Sequence, residues 1–78
     1  MLKLYRDEVD KLYYKGELNT YRVMEFDTEE ITDIMNTVVI KDEKTGKFYR
    51  GRFLQLQDEV DFEEVKQVPS ITYEPVDK

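Results

Sequence analysis

The chain has 78 residues, which leaves room for one small domain over residues 1–78 and excludes a two-domain protein. It carries 18 acidic and 12 basic residues, a formal charge of -6, so nucleic acid is disfavoured as a partner of the whole molecule. Cys, His and Trp are absent, which removes disulfides, thiolate nucleophiles, imidazole bases and ordinary zinc sites. We therefore expect a protein that is not an enzyme and that holds no cofactor or metal.

The first segment has apolar residues at helical spacing: Leu2, Tyr5, Val9, Leu12 and Tyr13. Charged residues fill the opposite side, and Gly16 follows as a stop signal. This spacing predicts an amphipathic helix of about three turns. The alternative is a pair of short strands over 2–5 and 12–14, because Tyr is a good strand former.

The next segment predicts a strand over 20–26, although Met24 breaks the strict alternation of apolar and polar residues. Thr28 then occupies a position suited to an N-cap, and Glu29 and Glu30 follow where a helix dipole favours negative charge. We expect a short helix over 28–35. An acidic loop is the alternative, because the segment is barely two turns long and contains β-branched residues.

The clearest local signal is a β-hairpin. Residues 37–41 are rich in β-branched side chains, 42–46 form a turn cluster that ends in Gly, and 48–56 are again aromatic and apolar. Gly51 in the second arm indicates either a bulge or a close backbone approach. Further on, 65–68 and 71–73 are expected to be short strands, which Pro69 confines to an edge and Pro75 ends.

The charge is distributed unevenly. Residues 27–35 carry four acidic groups and no basic one, residues 36–57 carry five basic and two acidic groups, and residues 58–78 carry seven acidic and two basic groups. One interpretation is internal, with the Lys and Arg of the hairpin facing both acidic segments. The other is that carboxylates form a contact surface for a basic partner.

Several motif fragments do not support a specific chemistry. Lys44-Thr45-Gly46-Lys47 lacks the Gly and the hydroxyl that a phosphate-binding loop needs, and the acidic run 58–64 lacks the central Gly of a calcium loop. The single serine, Ser70, has no His to activate it. Residues 47–53 interleave basic and aromatic side chains, which keeps a single-stranded nucleic-acid binder as an alternative function.

Three stretches carry a resemblance: VVIKDEKTGKFYRG at 38–51, DFEEV at 61–65 and YEPV at 73–76. They resemble small acidic uncharacterised proteins of phages and prophages of Gram-positive bacteria. The resemblance implies an accessory factor that binds and disables a host enzyme or defence complex, in some cases by imitating the charge of nucleic acid. It transfers no catalytic residue.

The expected architecture is α+β, an N-terminal helix packed on a small antiparallel sheet built around the central hairpin of 37–56. The expected core is Leu4, Val9, Leu12, Val23, Phe26, Val39, Phe48 and Phe53. The longest apolar run, 38–40, is far shorter than the ~20 residues of a membrane span, so we expect a cytoplasmic protein of an infected or lysogenic bacterial host, with no membrane partner.

The expected function is binding of a host protein, such as a nucleic-acid-binding enzyme or a defence complex, through one negative patch made from both acidic segments. The candidate patch residues are Asp27, Glu29, Glu30, Asp33, Asp58, Asp61, Glu63 and Glu64. A homo-oligomeric structural component, held together by exposed Tyr and Phe, is the alternative from a different class.

Overall fold

The computed structural model describes residues 2–30, 34–55, 57–68 and 72–76. Its elements in chain order are β1 (Leu2–Tyr5), α1 (Arg6–Lys15), β2 (Glu17–Leu18), β3 (Tyr21–Glu30), β4 (Ile34–Asp42), β5 (Phe48–Leu54), β6 (Glu59–Val68) and β7 (Thr72–Pro75). The strands form one antiparallel sheet in the order β1-β6-β5-β4-β3-β2, and β7 also pairs with β6. The sheet curls into a half-barrel that holds α1 on its concave side.

The expected architecture of a helix on a small sheet is therefore wrong. The protein is mostly antiparallel β, with one helix of 10 residues in the described chain. The error has a physical cause, since β1 pairs with β6, and Leu2 lies opposite Phe62. Such a long-range partner leaves no trace in the local spacing that predicted a helix from residue 2.

The helix begins four residues later than expected because Tyr5 keeps an extended backbone, with φ -96° and ψ 165°. The Tyr5 N–H donates to Glu8 Oε1 at 3.0 Å, which satisfies one amide at the start of α1. At the other end Gly16 adopts the left-handed conformation, with φ 75°, and its N–H donates to the Leu12 carbonyl at 2.9 Å. The predicted stop at Gly16 is thus confirmed, whereas Leu2–Tyr5 is the strand of the alternative interpretation.

The curled sheet has an inner face, turned toward α1, and an outer face. The core lies between this inner face and α1, and its buried residues are Leu4, Val9, Leu12, Leu18, Val38, Ile40, Phe53, Val60 and Phe62. The prediction for the core is confirmed for Leu4, Val9, Leu12 and Phe53, while Val23 and Phe26 pack on it only half-buried. Val39 is buried as expected, but the register places it on the outer face, and Phe48 is half-buried on that same face.

The predicted hairpin is confirmed by β4 and β5, which pair from Met35 with Leu54 to Lys41 with Phe48. Leu56, the last residue of the predicted arm, lies outside the described residues. Strand pairing runs through Gly51 without interruption, so the predicted bulge is wrong. The predicted close approach is correct, because the Phe62 ring lies against the Gly51 backbone. The register shift lies instead in β3, where Val23 pairs with Ile40 and Glu25 with Val39, which leaves Met24 as the extra residue.

The expected helix over 28–35 is also wrong wherever the structure describes it. Thr28 lies within the last stretch of β3, which ends at Glu30. β4 begins at Ile34, and Glu30 pairs with Ile34. Residues 31–33 lie outside the described part. Capping and acidic signals predicted a helix, but alternation of β-branched and polar residues across a turn supports a strand arm equally well. We refer to residues 25–30 and 34–37 as the β3–β4 arm.

Of the two C-terminal strands only β7 lies at an edge as expected, since it pairs with β6 alone. The edge position expected for the other strand is wrong: β6 begins at Glu59, is longer than predicted, and pairs with β1, β5 and β7. Ile71, the predicted start of the last strand, is outside the described residues. Although β6 separates β7 from β5, the Tyr73 ring lies 5.6 Å from the Phe48 ring, between centroids, and the Tyr73 carbonyl accepts from Arg50 Nη1 at 3.4 Å. The end of the sheet therefore contacts Phe48 and Arg50 of β5 across β6.

Candidate binding cleft

The first acidic segment divides between the two faces of the β3–β4 arm. The register sets Glu25, Asp27 and Glu29 opposite Val39, Thr37 and Met35, so these three carboxylates share the outer face. We call these three residues the β3 acidic row. All three are exposed, and none of them forms an ion pair with another described residue. Glu30 faces the inner side instead, and Asp33 lies outside the described residues.

The second acidic segment is mostly paired with cations of this chain. Lys3 Nζ lies 3.4 Å from Glu59 and 4.0 Å from Asp61. The nearby carboxylates raise the pKa of Lys3, with Glu59 as the larger cause. Arg50 Nη2 donates to Glu63 Oε1 at 2.8 Å, and Lys47 Nζ lies 3.9 Å from Glu64 Oε1. The internal interpretation of the charge pattern therefore applies to this segment, since the hairpin supplies two of its partners.

The two acidic segments do not lie side by side. β4 and β5 separate β3 from β6, and neighbouring strands lie about 4.8 Å apart, so the acidic residues of β3 and β6 are about 14 Å apart across the sheet. Arg50 and Arg52 of β5 occupy the outer face between them. Asp61 and Glu63 share that face, whereas Glu64 points to the inner face and Asp58 precedes β6. One continuous negative patch is not formed by the described members.

The inner face leaves a cleft where α1 does not reach across the sheet. Its volume is about 350 Å³, at the lower end of the range for ligand pockets. One wall is α1, with Arg6, Asp10, Tyr13 and Tyr14, and the other is the β3–β4 arm with the end of β5. Phe26 and Phe53 line its apolar part, and Thr28, Glu30, Asn36 and Gln55 line its polar part.

A connected series of aromatic rings runs from the surface into this cleft. Tyr14 and Tyr13 meet edge to face at 4.9 Å between centroids, and Tyr13 and Phe26 do so at 5.1 Å. Phe26 in turn meets Phe53 at 6.3 Å. Tyr14 is 80% exposed and Tyr13 59% exposed, although edge-to-face pairs of this kind are usually buried. Exposed tyrosines on a packed base are typical of protein contact surfaces.

A polar group lies deep in the same cleft. Asn36 is only 6% exposed; its Oδ1 accepts from Thr28 Oγ1 at 2.9 Å and its Nδ2 donates to Gln55 Oε1 at 3.2 Å. Arg6 donates through Nη1 to the Gln55 carbonyl and lies 3.8 Å from Asp10. This network joins α1 to three strands, so the polar wall of the cleft is fixed in place.

The cleft was not predicted from the sequence, since none of its aromatic or amide residues was a candidate site residue. Glu30 is the exception, because it was a member of the expected acidic patch and lines the cleft. The adjacent Tyr13 and Tyr14 offered a signal, because they extend the aromatic content of the helix beyond the stripe of Val9 and Leu12 that faces the core. Both are exposed, and a large exposed aromatic residue is informative.

The basic and aromatic residues of the hairpin are divided by the sheet. Tyr49 and Phe53 face the inner side, whereas Phe48, Arg50 and Arg52 face the outer side. Arg50 is tied to Glu63 and to the Tyr73 carbonyl. A base-stacking surface needs aromatic rings and cations on one face, and of the described aromatic residues in the hairpin only Phe48 shares the face of the arginines.

Within the described residues, no helix has the length and apolar character to cross a membrane, and no cluster of three or more acidic groups could hold a metal ion. Comparison with known proteins gave no relative: no protein-family model, curated protein or solved structure matches the chain.

Proposed function

We propose that this protein is a small protein-binding domain that takes hold of a basic surface on its partner with the β3–β4 arm. The observation that carries the proposal is that the arm bears the β3 acidic row on one face and the aromatic cleft on the other. A partner that reaches around the arm to both of its faces contacts negative charge on the outer face and the exposed tyrosines of α1 beside the inner face. Charge complementarity favours a basic partner, and aromatic residues supply binding energy at such surfaces.

The pairing of the other carboxylates supports this choice of surface. The acids at 59, 61, 63 and 64 already contact Lys3, Arg50 or Lys47, so a partner gains less from them. The three carboxylates of the β3 acidic row form no ion pair with a described cation, although Arg50 and Arg52 line the same side of the sheet. Their mutual repulsion is relieved when a cationic surface approaches, which makes this row the better electrostatic contact.

The resemblance to accessory proteins of phages favours an inhibitor as the biological role. In this proposal the protein acts in the cytoplasm of the infected host and blocks a host enzyme or defence complex by covering its basic, nucleic-acid-binding groove. Blocking requires only tight docking and no chemistry, which agrees with a sequence that lacks Cys and His.

The test is an affinity capture from a nuclease-treated lysate of a Gram-positive bacterium, followed by elution across a salt gradient. The paired substitution Asp27→Lys and Glu29→Lys should abolish capture of a stoichiometric protein. A matched control, Glu17→Lys with Glu74→Lys, makes the same change in net charge at exposed positions away from the arm and should leave capture intact. Equal loss with both pairs, or with neither, contradicts the proposed surface.

Self-assembly remains the second candidate, because several large apolar side chains are exposed: Tyr5, Tyr13, Tyr14, Met24, Ile34 and Leu54. Light scattering at micromolar concentration separates the two functions. A monomer that captures a partner supports the binding domain, whereas a defined oligomer that loses its order in Tyr14→Ala supports assembly through the cleft.

A further inference from the structure

We infer that the cleft between α1 and the β3–β4 arm binds an extended peptide segment of the partner that carries an arginine or lysine side chain. This inference rests on the proposed function and names the chemistry that the cleft recognises. It commits the cleft to a peptide rather than to a second copy of this chain or to a base of nucleic acid.

The buried amide of Asn36 supplies the contact to the peptide backbone. A side-chain amide has two N–H donors and two acceptor lone pairs, and Asn36 uses one donor and one acceptor on described neighbours. It therefore has one donor and one acceptor left at a position that is 6% exposed and lines the cleft. In an extended backbone the N–H and the C=O of one residue point to the same side, so a single residue of the peptide presents the complementary donor and acceptor to the Asn36 amide.

The rim of the cleft supplies the contact to the cationic side chain. Tyr13 and Tyr14 present aromatic rings, whose faces attract a guanidinium or ammonium group. Glu30 adds a carboxylate that has no ion pair among the described residues, whereas Asp10 is shared with Arg6 at 3.8 Å. Since Arg6 offsets Asp10, the charge of the lining is set by Glu30 and is negative, with the β3 acidic row on the opposite face of the same strand.

The competing occupants fit less well. A nucleic-acid segment would bring phosphates toward Glu30 and toward a chain of charge -6, which repels it. A purely apolar side chain would leave the unused donor and acceptor of Asn36 without partners in a desolvated site, at a cost in affinity.

The experiment is an NMR titration of the ¹⁵N-labelled full chain with acetyl-Ala-Arg-Ala-Ala-amide and with its matched neutral analogue, acetyl-Ala-Gln-Ala-Ala-amide. The Arg peptide should shift the amide signals of residues that line the cleft: Tyr13, Tyr14, Glu30, Asn36 and Gln55. We expect the Gln peptide to bind about tenfold more weakly, because it lacks the cation. Glu30→Gln and Tyr14→Ala should each lower the affinity for the Arg peptide, while the control Glu17→Gln should leave that affinity unchanged.

Equal affinity of the two peptides, absence of a saturable shift, or shifts confined to other residues would overturn the inference. Cleft signals that move on dilution without peptide would also overturn it, because a second copy would then be the occupant. Tyr14 is 80% exposed and Glu30 is exposed, so both variants should remain folded. If the Arg peptide does not bind while capture of a partner still depends on the β3 acidic row, this inference is wrong and the proposed function stands. If no partner is captured while the Arg peptide binds the cleft, the proposed function is wrong and the peptide site stands.

Discussion

The ring of Phe62 lies so close to the backbone of Gly51 that a Cβ on Gly51 would be 2.7 Å from Phe62 Cε2. The two residues are directly paired between β5 and β6, and Phe62 is completely buried. Glycine is therefore required here for space: the largest buried side chain of the core occupies the volume that any other residue at 51 would need.

Substitution Gly51→Ala should lower the free energy of unfolding by about 1 to 3 kcal/mol, since the ring or the strand must shift to admit a methyl group. Phe62→Leu also destabilises, because it leaves unfilled volume in the core. The double variant should lose less than the sum of the two single losses, because the smaller side chain makes room for the methyl group. Urea denaturation of the four proteins gives the coupling energy. Strict additivity would contradict the steric relationship.

The Asn36 network should contribute measurably to stability. Asn36→Ala removes two side-chain hydrogen bonds and leaves Thr28 Oγ1 and Gln55 Oε1 without their partner, so we expect a loss of about 1 to 3 kcal/mol. Thr37→Ala is a suitable control at the neighbouring, outward-facing position. It should cost clearly less, and equal losses in a thermal denaturation series would show that the network is not a special contributor.

The side chain of Asp42 should make stability depend on pH. Burial by itself would raise its pKa, but hydrogen bonds from the Lys44 N–H, at 3.0 Å, and from Thr20 and Thr45 together lower the pKa below its ordinary value. Because the pKa of Asp42 is lower in the folded chain, the carboxylate stabilises the fold fully at pH values above its pKa in the unfolded chain, about 3.9. This stabilisation is lost as the pH falls through the pKa of the folded chain.

The measurement is the free energy of unfolding of the wild-type protein and of Asp42→Asn over a range of pH. Their difference should be constant near neutral pH and should shrink below about pH 4, where the wild-type carboxylate becomes protonated. A difference that stays constant into strong acid would contradict the assignment of this pH dependence to Asp42.

The attachment of β7 should depend on the forked shape of Arg50. Its guanidinium contacts Glu63 and the Tyr73 carbonyl at once, which a lysine ammonium reproduces poorly. Arg50→Lys should therefore speed hydrogen exchange of the β7 amides, with a loss of overall stability of about 1 kcal/mol. Arg52→Lys is the matched control, because Arg52 shares the face but forms no ion pair with a described residue. Equal hydrogen-exchange rates of the β7 amides in both variants would show that the Arg50 contacts do not hold β7 in place.

Local chemistry predicted some elements of this fold and long-range pairing decided the rest. The β4–β5 hairpin was predictable because its turn residues and apolar arms lie within twenty residues of each other. The partner of β1 was not, because Leu2–Tyr5 has the same apolar spacing whether it continues a helix or pairs with β6. The helix predicted over 28–35 was wrong for a related reason. Its capping signals are local and carry no information about the pairing of β3 with β4.

The charge pattern was only partly informative about the site. Sequence identified both acidic segments, but which carboxylates find a cation depends on strand order, and β5 lies next to β6 rather than β3. The cleft could not be located from the sequence, because its walls come from α1, the β3–β4 arm and the end of β5. Tyr14 and Asn36 acquire their roles only when these elements meet.

The single extra residue at Met24 sets which chemistry each face of the arm presents. Before it, Tyr21 and Val23 point inward; after it, inward positions fall on Phe26, Thr28 and Glu30. If Met24 were paired in the ladder instead of being left out of it, Glu25 would lie opposite Val38, the odd-numbered carboxylates would turn into the cleft and Phe26 would turn toward water. The two faces of the arm therefore keep their acidic and aromatic character whether Met24 is replaced by another residue or deleted, because Glu25 stays opposite Val39 in both cases. They would be exchanged only if the extra residue were drawn into the ladder and shifted every later pair by one.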